Sequence, residues 1–168
     1  MRGGPAYIRS VTIFSSGFFR VGRVRGLPLR IHWTTPLGLF LISGLSFNPL
    51  VWLALFGLMI VHEGGHALLA RRYRLRVVSI DITGIGGVCH LEGDPTLREM
   101  AVVSWGGVLA QAAVLVVALL LRSIVHAVTF GLMDGVWDTL ITSNAILIAI
   151  NLLPVKPLDG ATAWRIFR

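Results

Sequence analysis

The chain has 168 residues, enough for one domain and too few for two well-formed ones. Hydrophobic residues make up 55% and charged residues 14%, against about 25% charged in an ordinary soluble domain, which excludes both a soluble globule and a disordered chain. The net charge of +7, with a mean hydropathy of +0.78, points to the inner face of a membrane rather than to nucleic acid. A single cysteine, Cys89, excludes an internal disulfide framework and a multi-cysteine metal site.

Residues 1–30 carry six arginines and no acid. Such a start has the composition of a mitochondrial transit peptide, but Phe19 to Trp33 reads as structure instead. Alternation through Phe19, Val21, Arg23 and Arg25, broken by Gly26-Leu27-Pro28, predicts two short strands, the second running through Ile31. No apolar leader with a small-residue cleavage site is present, which argues against a secretory signal.

Four apolar stretches follow, and the chain reads as an α-helical integral membrane protein of about four spans with small cytoplasmic β-strands. Ile31 to Leu45 falls short of the ~20 residues that cross a bilayer and would have to extend through Phe47 or tilt. Leu50 to Ala70 and the uncharged Ala101 to Leu121 are full-length spans, and Thr139 to Val155 is shorter and holds Asn144 and Asn151. Ser123 to Val136, interrupted by His126, Gly131, Asp134 and Gly135, reads as an interfacial hairpin or loop. Between the second and third spans, Val77 to Glu92 alternates, turns at Gly84-Ile85-Gly86-Gly87 and alternates again, predicting a surface β-hairpin at 77–92. The basic start, the cluster Arg71, Arg72, Arg74 and Arg76, and the basic end fall on one face if there are four spans. The positive-inside rule makes that face cytoplasmic, with both termini on it.

The second span contains His62-Glu63-Gly64-Gly65-His66. On a helix the i, i+4 spacing sets both imidazoles on one face, where they can share a metal ion, and Glu63 lies about 100° around, within reach of a water on that metal. Ionisable groups inside a span are costly unless paired or coordinating. A catalytic zinc site needs a third protein ligand. Glu92 and Glu99 are candidates in or just beyond the surface hairpin, but Asp159 is better placed, because the segment after the fourth span returns to the same side of the membrane. His90 beside Cys89 reads as a surface strand residue.

An H-E-x-x-H in one span with Asn151-Leu152-Leu153-Pro154-Val155-Lys156-Pro157-Leu158-Asp159-Gly160 after another resembles the site-2 protease family of intramembrane zinc metalloproteases. The resemblance covers most of the chain, residues 1–168 reading as one membrane-embedded core. It extends to Gly26-Leu27-Pro28-Leu29-Arg30-Ile31-His32-Trp33 and to the pair Gly86-Gly87 in a surface strand. It implies one zinc ion bound by His62, His66 and Asp159, Glu63 as catalytic base, Asn151 near the reacting carbonyl, and Pro154 bending the last helix toward the site. Gly86, Gly87 and Gln111 become candidate substrate contacts.

Three departures stand out. Trp105-Gly106-Gly107-Val108-Leu109-Ala110-Gln111 lacks the family's third-span proline, Gly64 replaces a bulkier residue beside the metal, and Ala161 replaces a second glycine after L-D-G. The end at Arg168 leaves no room for a PDZ or CBS domain. The expected activity is cleavage of a transmembrane protein substrate within the lipid bilayer of a prokaryotic cytoplasmic membrane. A non-proteolytic metal-binding protein or transporter, or a catalytically dead scaffold, is the competing reading.

Overall fold

The computed structural model describes residues 17–24, 26–129 and 133–167, with side chains from 126 to 129 left aside. The transit-peptide reading of the basic start lies largely outside these residues. Strands β1 (Phe18–Val24) and β2 (Leu27–His32) form the expected pair, turned at Gly26, whose φ of 84° suits glycine. Strands β3 (Arg76–Thr83) and β4 (Gly86–Glu92) form the expected second hairpin. All four join one sheet in the order β1-β2-β3-β4, with β2 and β3 parallel. A parallel pair needs a long crossover, and helices α1 (Thr35–Ile42) and α2 (Pro49–Arg72) supply it.

The first expected span is much shorter as a helix than its apolar run suggests. Ile31 and His32 belong to β2, and α1 has only eight residues, about 12 Å at a helical rise of about 1.5 Å per residue. Its Gly38 lies so close to the carbonyl of Gly84 that an added Cβ would collide with it. A short helix seated on the hairpin turn stands where a full-length helical span was expected.

Helix α2 begins where Asn48 accepts from the amides of Leu50 and Val51 and where Pro49 opens the first turn. Helix α3 (Leu97–Thr129) begins with a capping box: Thr96 Oγ1 accepts from the Glu99 amide at 3.2 Å, and Glu99 accepts from the Thr96 amide at 2.7 Å. Among the described residues, α2 and α3 are the two helices long and apolar enough to cross a membrane. Helix α3 runs to residue 129, so the loop expected from Ser123 is mostly helix. Helix α4 (Asp134–Asp138), a π-helical turn (Thr139–Ser143) and helix α5 (Asn144–Asn151) then run end to end. The helix thus stops before Pro154, which lies in turns leading to α6 (Gly160–Ala163) and a 3₁₀ turn at Trp164–Phe167.

The last turns of α2 pack on the sheet. Ala67 and Ala70 meet Leu27, Leu29, Val77, Ile80 and Ile82, with Val103 of α3 completing the cluster. This contact fixes the histidine-bearing half of α2 against both β4 and α3.

Candidate active site

Helices α2 and α3 touch at glycines. A Cβ on Gly65 would collide with the carbonyl of Gly106, and one on Gly106 would crowd the backbone of Gly65 and His66. Small residues permit such close backbone contact between membrane helices. Gly64, expected to leave room or tighten packing beside the metal, has open space beyond it, and its neighbour Gly65 makes the contact.

At this seam His62 and His66 are buried, 9% and 7% exposed. His66 Nδ1 lies 2.8 Å from the carbonyl oxygen of Val103, and His62 Nδ1 lies 3.0 Å from Gln111 Oε1. Carbonyl oxygens only accept, so both Nδ1 atoms carry a proton, which in the neutral rings leaves each Nε2 its lone pair. The two Nε2 atoms are 3.1 Å apart, and Asp159 Oδ2 lies 3.0 Å from one and 3.2 Å from the other.

Asp159 is delivered by a clamped segment. Trp164 Nε1 donates to the Leu152 carbonyl at 2.7 Å, Trp105 Nε1 of α3 donates to the Ala163 carbonyl at 3.1 Å, and the two indoles meet edge to face. Gly160 backs against Leu152 so closely that a Cβ would clash.

Three electron-rich atoms facing one another repel unless a cation lies between them. Asp159 Oδ2 is buried and is in hydrogen-bond geometry with no donor among the described residues. Tetrahedral zinc with bonds of about 2.0–2.1 Å sets its ligand atoms about 3.3 Å apart, close to the three separations found here. Gly107 of α3 leaves room beside them, since a Cβ there would come within 2.6 Å of both Nε2 atoms. The residues fit a zinc ion.

Glu63 is 4% exposed and receives a hydrogen bond from the main-chain amide of Cys89 on β4. A Cβ on Gly87 would collide with its carboxylate, so β4 approaches at a glycine. Gly86 opens β4 at a φ of 141°. Burial, with the nearby Glu63 charge, pushes the Cys89 thiol up to about 12. Gln111, only 2% exposed, faces His62. Asn151 ends α5 and makes no hydrogen bond to the cluster. Glu92 pairs with Arg76 and Glu99 caps α3, so neither joins the histidines. His90 binds Asp81. Sequence reasoning missed the Val103 carbonyl, Gly107 and the Cys89 amide, of which only the glycine pair 106–107 left a trace in the sequence.

No family model matches the chain. The solved site-2 protease of Methanocaldococcus jannaschii superposes with a TM-score of 0.70 over 89% of this chain and 71% of that one, at 26% identity, so the fold is that of a site-2 protease. Zinc metalloprotease MJ0392 of the same organism is 30% identical over 152 residues, covering 87% of this chain and 44% of the relative. Stage IV sporulation protein FB of Bacillus subtilis is 30% identical over 139 residues, covering 80% of this chain and 46% of the relative. The chain thus spans under half the length of the curated relatives it matches. The solved structure and the relatives alike support the site-2 protease family for this chain.

Proposed function

We propose that the chain is a zinc-dependent intramembrane endopeptidase that cleaves transmembrane segments of other proteins. The observation that carries this reading is the convergence of His62 Nε2, His66 Nε2 and Asp159 Oδ2 beside a buried Glu63. His62, His66 and Asp159 would hold one zinc ion per chain. When bound, zinc supplies a Lewis acid that polarises a carbonyl and lets a water ionise near neutral pH.

The chain's own groups do the rest. Glu63 takes the proton of the attacking water and returns it to the leaving amine, and the Cys89 amide and the bare face of Gly87 hold its carboxylate in place. A transmembrane helix satisfies its own backbone hydrogen bonds, so it must unwind locally to be cut. Strand β4 is the sheet edge nearest Glu63 and offers an unwound segment main-chain partners, with Gly86 and Gly87 at the approach. Asn151 is proposed to meet the reacting carbonyl. Four membrane segments, both termini cytoplasmic and a prokaryotic cytoplasmic membrane complete the proposal, on the strength of the arginine distribution.

Glu63→Gln tests it in the full chain reconstituted with a membrane-spanning substrate. Cleavage should fall at least about 100-fold, as for loss of a general base, while bound zinc is retained. Full activity in that variant overturns the mechanism.

A further inference from the structure

Val103, Gly107 and Gln111 recur every fourth residue on α3, and a step of four keeps them on one helix face. Each serves the histidines differently: the Val103 carbonyl accepts from His66, Gly107 clears space for the two Nε2 atoms, and Gln111 Oε1 accepts from His62. Gln111 is itself held. Asn144, 0% exposed, donates from Nδ2 to the Gln111 main-chain carbonyl at 3.0 Å. Asn144 follows directly on the π-helical turn Thr139–Ser143. A π turn inserts one residue and rotates all that follows by about 100°, which sets the direction of Asn144. Its Oδ1 is buried without a hydrogen-bond partner among the described residues. A half-satisfied buried amide is a poor stabiliser, which argues against a purely structural role.

We propose that Gln111 and Asn144 form a positioning relay for the metal. Gln111 fixes the tautomer and ring angle of His62, and Asn144 fixes Gln111 to the π turn of the next helical segment. Gln111 therefore acts through His62 and does not touch the substrate. The inference rests on the reading of His62, His66 and Asp159 as zinc ligands, but not on proteolysis.

The test measures zinc affinity of the purified full chain by chelator competition and the visible spectrum of the cobalt-substituted form. Gln111→Leu, and Gln111→Met as a variant closer in length, should bind zinc about 10–100-fold more weakly, the usual effect of losing a histidine's outer partner, with a shifted cobalt spectrum. Gln111→Glu keeps the acceptor oxygen and should restore affinity to within about threefold of the starting chain, because a carboxylate serves a zinc-bound histidine equally well. Asn144→Leu should weaken binding in the same direction and less. Unchanged affinity and spectrum in Gln111→Met, or no recovery in Gln111→Glu, overturns the relay. A starting chain that binds zinc but cuts no membrane substrate overturns the proteolytic reading and leaves the relay standing.

Discussion

Asp81 and Asp159 each lie within hydrogen-bond distance of a histidine nitrogen, at 2.9 Å from His90 and 3.0 Å from His62. They solve the problem of a buried carboxylate oxygen in opposite ways. Asp81, on the central strand β3, has Arg30 of β2 on one side, with Nε 2.7 Å from Oδ1, and His90 of β4 on the other. Burial pushes its carboxyl up, but the hydrogen bonds and charges of His90 and Arg30 outweigh that and hold it below the usual carboxylate range. Asp159 faces two imidazoles whose protons are already committed to Val103 and Gln111. One carboxylate carries its cation in the fold, and the other is surrounded by acceptors. The difference separates a structural ion pair from a donor set suited to an ion from outside.

The comparison can be broken first at the acids themselves. Asp159→Ala should reduce zinc affinity by more than about 100-fold, beyond the range seen for outer partners, and abolish cleavage, whereas Asp81→Asn should leave zinc affinity unchanged. Equal losses in both variants, read by zinc titration, would remove the distinction.

A second comparison uses two glycines of one seam. Gly107→Ala places its Cβ against the tips of imidazole rings, which can swing aside, so the chain should fold but bind zinc at least about 10-fold more weakly, an effect of the size produced by misoriented ligands. Gly65→Ala meets the Gly106 carbonyl, which cannot move, and should instead lower the unfolding temperature.

The smallest effect concerns pH. A carboxyl lowered in the fold stabilises it fully above the ordinary range near about 4, and that contribution fades as pH falls through the lower folded value. Stability of the sheet should therefore drop on acidification, and Asp81→Asn should flatten that limb. The side chain of Arg30 is 41% exposed, so solvent screening holds the effect to about 1 kcal/mol. An acid limb of undiminished slope in Asp81→Asn would assign it to other groups.

The sequence made some of this legible for physical reasons. The i, i+4 spacing of His62 and His66 survives as geometry because α2 is regular there, and period-two alternation marked both hairpins. Their union into one sheet through a parallel β2–β3 pair is a long-range event with no local sign. The stretch from Thr35 is apolar enough to suggest a long helix, but apolar content does not set where a helix ends. Gly131 and Gly135 suggested an early break after the third span, yet nothing from Ser123 to Val128 opposes helix, and α3 runs on. Val103 acts through its main-chain carbonyl, which no residue type announces. The Asn144 side chain depends on the π turn before it, and a uniform helical wheel would direct it elsewhere.

The third candidate ligand stands far along the chain from the other two. His62 and His66 belong to α2, and Asp159 comes roughly a hundred residues later, so an ion joining them ties a loop whose closure costs chain entropy. Such an ion would behave as a removable cross-link between α2 and the segment after α5. Folding and loading would then be linked, with about 4 kcal/mol of added stability at a thousandfold excess over the dissociation constant. The lifetime of the protein in its membrane would thus follow the free zinc level around it.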